Sequence, residues 1–92
     1  MKATEIFRTK EIFGDGFVEI VIWQVPEPVP PSDNSYKYRL VYVVEGKRIV
    51  GYDNERDKSD HKHFGAREEH YRFVNPQQLM ADFIDDVKGA KK

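Results

Sequence analysis

The alternation of apolar and polar side chains near the start of the chain predicts a β-hairpin. Between residues 17 and 25 the two kinds of position alternate loosely, with Glu19 on the polar side, as is typical of a half-buried strand. Gly14-Asp15-Gly16 comes directly before it and is a strong turn signal. Residues 4–13 are therefore predicted to be the partner strand. The apolar face of the second strand consists of Val18, Ile20 and Ile22.

A clearer hairpin is predicted for residues 36–44 and 48–53. Its turn is either Glu45-Gly46 or Gly46-Lys47, and both registers assign the side chains to the same faces. Asp53 is predicted to end its strand on the face that is lined by aromatic side chains. That face is predicted to hold Tyr38, Leu40, Tyr42, Ile49, Gly51 and Asp53. The opposite face is predicted to hold Lys37, Arg39, Val41, Val43, Val50 and Tyr52.

Residues 75–88 have the pattern of an amphipathic helix. Asn75 is a favoured N-cap residue, Pro76 suits the first helical position, and Gln78 completes a pair that is similar to a capping box. Gly89 is predicted to end the helix. One apolar stripe is predicted to pack against the sheet, and it consists of Leu79, Met80, Phe83, Ile84 and Val87.

These elements predict one α+β domain over residues 1–92. Its parts are a small antiparallel β-sheet, made of two hairpins plus a short extra strand, and a C-terminal α-helix packed on one face. Residues 25–35 contain four of the five prolines and are predicted to form an extended crossover. Residues 54–70 are predicted to be a charged loop that contains the histidines. An exposed strand edge at residues 4–12 would allow a dimer by sheet extension.

The composition of the chain excludes several classes of protein and several kinds of site. The formal net charge is −1, so the chain lacks the positive excess expected of a protein that coats nucleic-acid duplexes. The absence of cysteine excludes disulfides, thiolate metal sites and cysteine nucleophiles. No apolar run reaches about 18 residues and the N-terminal segment is charged, which predicts a cytoplasmic protein without a membrane span or a secretory signal. No cofactor motif is visible, so no cofactor is expected.

The candidate chemistry lies between residues 53 and 63. Asp53 and Asn54 directly follow an apolar strand, where a rigid scaffold can present reactive groups. His61 and His63 are two residues apart, so an extended backbone would place both imidazoles on one face, about 6.6 Å apart along the chain. Such a pair suits general acid–base catalysis of metal-independent RNA cleavage. The cation for this reaction could come from Lys58, Arg56 or Arg67.

Two other interpretations stay open. His61 and His63 could hold a divalent metal ion together with Asp53 or Asp60, as in a small metal-binding protein. The charged segment could instead dock a protein partner, with the sheet as a scaffold only and no enzymatic activity. His70 has no comparable neighbour in the sequence and is predicted to be structural or exposed.

Three segments resemble the TumE-type toxin family of bacterial toxin–antitoxin modules. They are residues 36–40 (Tyr-Lys-Tyr-Arg-Leu), 51–56 (Gly-Tyr-Asp-Asn-Glu-Arg) and 60–63 (Asp-His-Lys-His). Residues 71–73 and the helix over 78–83 are similar too, so the resemblance spans nearly the whole chain. Its most specific part is the combination of Tyr-Asp-Asn with a following His-x-His.

The resemblance implies a toxin, a candidate ribonuclease acting on RNA or the ribosome, whose partner is a cognate helix-turn-helix antitoxin. It also implies a fold broadly similar to the RelE/HigB class of ribonuclease toxins. Family members often have Gly-Lys-Gly where this chain has Asp57-Lys58-Ser59. Side chains at 57 and 59 would hinder a close approach of backbone amides to a phosphate, so a weakened enzyme is an open expectation. Carried over by motif position, the functional residues are Asp53, Asn54, Lys58, His61 and His63.

Overall fold

Six strands follow one another across a single antiparallel sheet, and one helix comes after them. The computed structural model describes residues 4–26, 35–54 and 60–90. The elements are β1 (Thr4–Phe13), β2 (Gly16–Gln24), β3 (Tyr36–Val44), β4 (Lys47–Asp53), β5 (His61–Phe64), β6 (Arg67–His70) and α1 (Pro76–Ala90). The order of the strands in the sheet is their order in the chain. The predicted α+β fold, with an antiparallel sheet and a C-terminal helix, is confirmed.

The histidine segment forms a third hairpin where the sequence predicted a charged loop and one short strand. Residues 61–70 make up β5 and β6, and Gly65 in their turn has a φ of 59°, a conformation that glycine adopts readily. Every residue of β6 is exposed. Its sequence, Arg-Glu-Glu-His, has no apolar alternation that could reveal a strand, and charged edge strands of this kind resist pairing with other chains.

Two predicted features lie outside the described residues. Residues 27–34 contain most of the proline-rich crossover, and residues 55–59 contain Lys58.

The β3–β4 hairpin contains a bulge that the sequence did not reveal. Its two-residue turn is residues 45–46, with φ values of 51° and 76°, as in the turns that match the twist of the flanking strands. Val43 pairs with Arg48. Tyr42, one residue earlier, pairs with Val50, so Ile49 is an extra residue on β4.

The predicted faces of β4 were wrong for this reason. Side chains alternate along a strand, so one extra residue moves everything beyond it to the opposite face. Asp53 pairs with Arg39 and lies on the face away from the core. The side chains that share the buried face of this hairpin are those of Tyr38, Leu40, Tyr42, Val50 and Tyr52.

Helix α1 covers the buried face of the sheet. Oδ1 of Asn75 accepts a 2.7 Å hydrogen bond from the amide of Gln78 at the start of the helix, as predicted. The helix continues through Gly89 to Ala90, beyond its predicted end. It is 15 residues long, and no helix in the described ranges is long and apolar enough to cross a membrane. Its buried residues Leu79, Phe83 and Val87 complete a core with Val18, Ile20, Ile22, Tyr38, Leu40, Tyr42, Val50, Tyr52 and Tyr71.

Three buried tyrosines tie this core together through hydrogen bonds to carboxylates. The hydroxyl groups donate in three pairs, Tyr52 to Asp86, Tyr71 to Asp82 at 2.6 Å and Tyr38 to Asp60 at 2.8 Å. The first two pairs join the strand side of the core to α1. Burial, and then the adjacent carboxylate, raises the pKa of each phenol well above its ordinary value.

Alkaline pH is expected to destabilise the fold because of these three phenols. The pKa of each is higher in the folded chain than in the unfolded chain, so the unfolded chain releases its protons first. The free energy of unfolding should therefore fall as the pH rises above about 10. Denaturant unfolding at a series of pH values measures this fall. The fall in the free energy of unfolding should be shallower in Tyr71→Phe, which lacks one of the titrating groups. An equally steep fall would contradict its origin in the buried tyrosines.

Candidate functional site on the open sheet face

The candidate site lies on the sheet face opposite α1, which we call the open face. The register of the strands aligns its side chains in rows that cross the sheet. One row consists of Arg39 on β3, Asp53 on β4, His61 on β5 and His70 on β6. The next row consists of Val41, Gly51, His63 and Glu68 on the same four strands. The bulge in β4 thus brings the aspartate to the face on which β5 presents both histidines.

Asp53, His61 and His63 form the centre of the site. Nε2 of His61 contacts Oδ1 of Asp53, and the two imidazole centroids are 4.7 Å apart at an interplanar angle of 83°. The side chains of Asp53 and His61 are only 10% and 7% exposed. The side chain of His63 is 14% exposed, so it is the more accessible of the two imidazoles. Asp53 therefore orients one histidine, and the other lies nearer to solvent.

Glu68 is a fourth member of the site, and the sequence did not single it out. Its Oε2 lies 3.5 Å from Nε2 of His61 and 3.6 Å from Nε2 of His63. The side chain is 48% exposed and reaches over from the edge strand β6. Nothing distinguishes Glu68 within a charged run of sequence. Only the register of the third hairpin, which sets it opposite His63, reveals its place.

Arg48 is a second residue that the sequence analysis missed. A Cβ on Gly51 would lie 2.8 Å from Cδ of Arg48, so the arginine side chain crosses the sheet directly over this glycine. Gly51 is the register partner of His63. Burial lowers the pKa of His63 below its ordinary value, and electrostatic interactions with Arg48 and then His61 lower it further. His63 is therefore mostly neutral at pH 7 and able to accept a proton.

Asn54 is tied to the backbone of β3. Its Oδ1 accepts a 2.9 Å hydrogen bond from the amide of Tyr38, and its Nδ2 donates a 2.7 Å hydrogen bond to the carbonyl of Tyr36. The residue is 1% exposed. Since both ends of its amide are bound within the fold, the geometry assigns Asn54 a positioning role: it fixes the end of β4 next to Asp53.

Of the three cations that the sequence proposed for the site, the structure describes Arg67, and this residue does not lie at the site. Arg67 pairs with Phe64 on the helix side of the sheet and packs over that ring, with Cζ 5.2 Å from the centroid. Lys58 and Arg56 lie outside the described residues. His70 is exposed on β6. The described cation next to the histidines is therefore Arg48.

The same three central residues could hold a metal ion. One ligand atom from each of Asp53, His61 and His63 lies within 4.8 Å of the others, and two imidazoles with one carboxylate suit zinc or another divalent transition metal. Oδ1 of Asp53 is buried and, apart from the His61 contact, accepts no hydrogen bond from the described residues. Asp60, the other predicted carboxylate ligand, instead accepts the hydrogen bond from Tyr38.

The structure defines a small α+β domain. One face of its six-stranded antiparallel sheet is closed by a helix, and the other carries a cluster of histidines and carboxylates. The model of the family described as Toxin TumE matches residues 2–90. The chain belongs to the TumE toxin family, which makes it a toxin of a toxin–antitoxin module with an antitoxin as its partner. Searches of curated proteins and of solved structures gave no match.

The positioning role of Asn54 is expected to appear as a loss of stability. Asn54→Ala removes the partners of one backbone amide and one backbone carbonyl, which should lower the free energy of unfolding by about 2–4 kcal/mol. His63→Ala is the comparison, because no described backbone group depends on that side chain, and it should cost about 1 kcal/mol or less. Urea unfolding of both variants tests this. Equal losses would contradict the division between a positioning and a functional residue.

The proximity of Arg48 to His63 is expected to appear in a titration. Arg48→Met keeps an unbranched chain over Gly51 but removes the positive charge, so the pKa of His63 should rise towards its ordinary value. An NMR titration of the three histidines measures it directly. Arg67→Met is the matched control, because Arg67 lies on the other side of the sheet and should leave His63 unchanged. Equal changes in the pKa of His63 in both variants would contradict a specific effect of Arg48.

Proposed function

We propose that this toxin arrests growth by cleaving RNA at the open face, with Asp53, His61, His63 and Arg48 as the acting groups. The observation that carries the proposal is the paired imidazoles, one held by a buried carboxylate and the other next to an arginine. A base, an acid and a cation are the parts that metal-independent cleavage of RNA requires. Its partner is proposed to be a helix-turn-helix antitoxin, and its site of action the cytoplasm.

The proposed reaction is a transesterification within the RNA strand. Neutral His63 removes the proton of a ribose 2′-hydroxyl, and the 2′-oxygen attacks the adjacent phosphorus. The bond from phosphorus to the 5′-oxygen breaks, and that oxygen takes a proton from His61 or Lys58. Arg48 stabilises the negative charge that develops on the phosphoryl oxygens. The products are one strand that ends in a 2′,3′-cyclic phosphate and another that begins with a 5′-hydroxyl.

Each remaining residue has a supporting part in the proposed reaction. Asp53 contacts Nε2 of His61 and fixes the orientation of its ring. Glu68 lies within 3.6 Å of Nε2 of both imidazoles and stabilises a positive charge on either of them. Asn54 holds the strand end that carries Asp53.

Metal chemistry at the same residues is a second candidate, favoured by the 4.8 Å cluster of ligand atoms. A divalent ion held by Asp53, His61 and His63 would activate a water molecule in place of the 2′-hydroxyl. The two chemistries differ in their products, because attack by water does not form a cyclic phosphate. The chemical nature of the new RNA ends therefore separates them.

Induced expression in a bacterial host tests the function. The wild type should arrest growth and produce new RNA ends with 2′,3′-cyclic phosphates, and in His63→Ala the yield of these ends should fall by about 10²- to 10⁴-fold. His70→Ala is the matched control, because the third histidine is exposed on β6 and has no part in the proposed reaction. A fully toxic His63→Ala variant would contradict the site.

Other outcomes identify the alternatives. New ends with 3′-hydroxyls, together with uptake of one equivalent of zinc or manganese that His63→Ala abolishes, would establish the metal site in place of acid–base catalysis. Growth arrest without new RNA ends would instead favour a non-enzymatic module that docks a protein partner.

A further inference from the structure

A pocket opens on the open face beside Asp53. Its volume is about 330 Å³, near the lower end of the range of about 300–1,000 Å³ for small-molecule sites. Asp53 lines it and also contacts His61, so the pocket is continuous with the centre of the site. The lining residues are Trp23, Lys37, Tyr38, Arg39, Asp53 and Asn54.

The lining combines a flat aromatic ring with two cations. Trp23 on β2 is half-buried and is the register partner of Lys37 on β3. Arg39 lies two residues further along β3 and is the register partner of Asp53. Lys37 and Arg39 are both exposed. Cζ of Arg8 already lies 6.0 Å from the centroid of the Trp23 ring. An indole ring provides a surface on which a base can stack, beside or in place of that guanidinium, and the two cations provide contacts for phosphate oxygens.

The spacing of the strands sets the distance from this pocket to the histidines. Arg39, Asp53 and His61 occupy one row on three neighbouring strands, and two strand spacings amount to about 10 Å. His63 lies two residues further along β5, which puts its backbone about 12 Å from that of Arg39 and about 20 Å from that of Trp23. A single strand that has its phosphate beside His63 therefore reaches the pocket a few nucleotides along, not at the adjoining one.

We infer that this pocket binds a nucleotide a few positions from the cleaved phosphate of a single-stranded RNA, with its base stacked on Trp23 and its phosphate contacted by Lys37 and Arg39. The inference rests on the function proposed above for the adjoining site. It requires a single strand, because the base faces in a duplex are covered by their neighbours and stacking on a side chain needs a free face.

The low net charge of the chain agrees with a binding mode in which stacking is prominent. A protein of net charge −1 gains little from long-range attraction to RNA. Two phosphate contacts would give a slope of log affinity against log salt of only about −1.4 on a single strand. Binding should therefore weaken far less in salt than it does for a basic protein that relies on many phosphate contacts.

Trp23 makes the binding directly observable, because it is the only tryptophan in the chain. The probe is a mixed-sequence 2′-O-methyl RNA oligonucleotide of about ten nucleotides, which lacks the hydroxyl needed for cleavage and so remains intact. It is titrated into the full chain over about 10⁻⁶ to 10⁻⁴ M. Stacking should quench the fluorescence of Trp23.

Matched variants separate stacking from charge, with anisotropy of a labelled probe as the readout. Trp23→Ala should weaken binding about 5- to 150-fold, and Trp23→Phe, which keeps a ring, should retain most of the affinity. Lys37→Glu should weaken binding and lower the salt slope by about 0.7. Lys88→Glu makes the same change of charge on α1, on the other side of the sheet, and should leave binding unchanged.

The outcomes for this pocket and for the proposed function are distinct. RNA cleavage in cells that persists unchanged in Trp23→Ala, with no quenching of the wild type, would overturn the pocket and leave the function intact. Probe binding that is equal in Lys37→Glu and Lys88→Glu would also overturn it. Quenching with a probe in the absence of any cellular RNA ends would support the pocket and contradict the ribonuclease.

Discussion

The single extra residue in β4 is the feature on which the rest of the structure depends. Ile49 interrupts the alternation of the strand, so Val50 and Tyr52 turn into the core while Gly51 and Asp53 turn away from it. Strand β5 then pairs with β4 residue by residue, so each of its side chains lies on the same face as its partner on β4. Without the bulge, the aspartate would lie beneath the helix and the histidines would have no buried carboxylate beside them. A local irregularity in one hairpin thus determines on which face of the sheet the candidate site lies.

The two faces of the sheet separate the hydrophobic core from the candidate site. On the buried face the tyrosine hydroxyls are matched to carboxylates, and the helix closes over them. On the open face a buried aspartate and a buried histidine are held next to each other. Burying such groups costs free energy unless they are paired well, and sites of this kind are common where function is concentrated. The core supplies the rigidity that keeps them in place.

Sequence reasoning found the regular parts of the protein and missed the irregular ones. The alternation of apolar and polar residues predicted both early hairpins. The N-cap at Asn75 and the apolar stripe after it predicted the helix. The alternation and the stripe are recognisable because each repeats over many residues. The bulge was not predicted because a single additional residue produces no periodic pattern in the sequence. Glu68 was not predicted because its place depends on the register that sets it opposite His63. Arg48 was not predicted because its place depends on Gly51, over which its side chain lies. The histidine pair was visible since two positions on one strand are a local property.

The order of the strands has a consequence for synthesis. Each strand pairs with the one made just before it, so the sheet can assemble progressively as the chain leaves the ribosome. Among the described elements, α1 is made last, and only then is the apolar face covered. A nascent chain therefore has an interval in which the apolar side of the sheet remains open to solvent. That interval is when aggregation, chaperones and proteases have their best opportunity, before the finished molecule is available to harm its host.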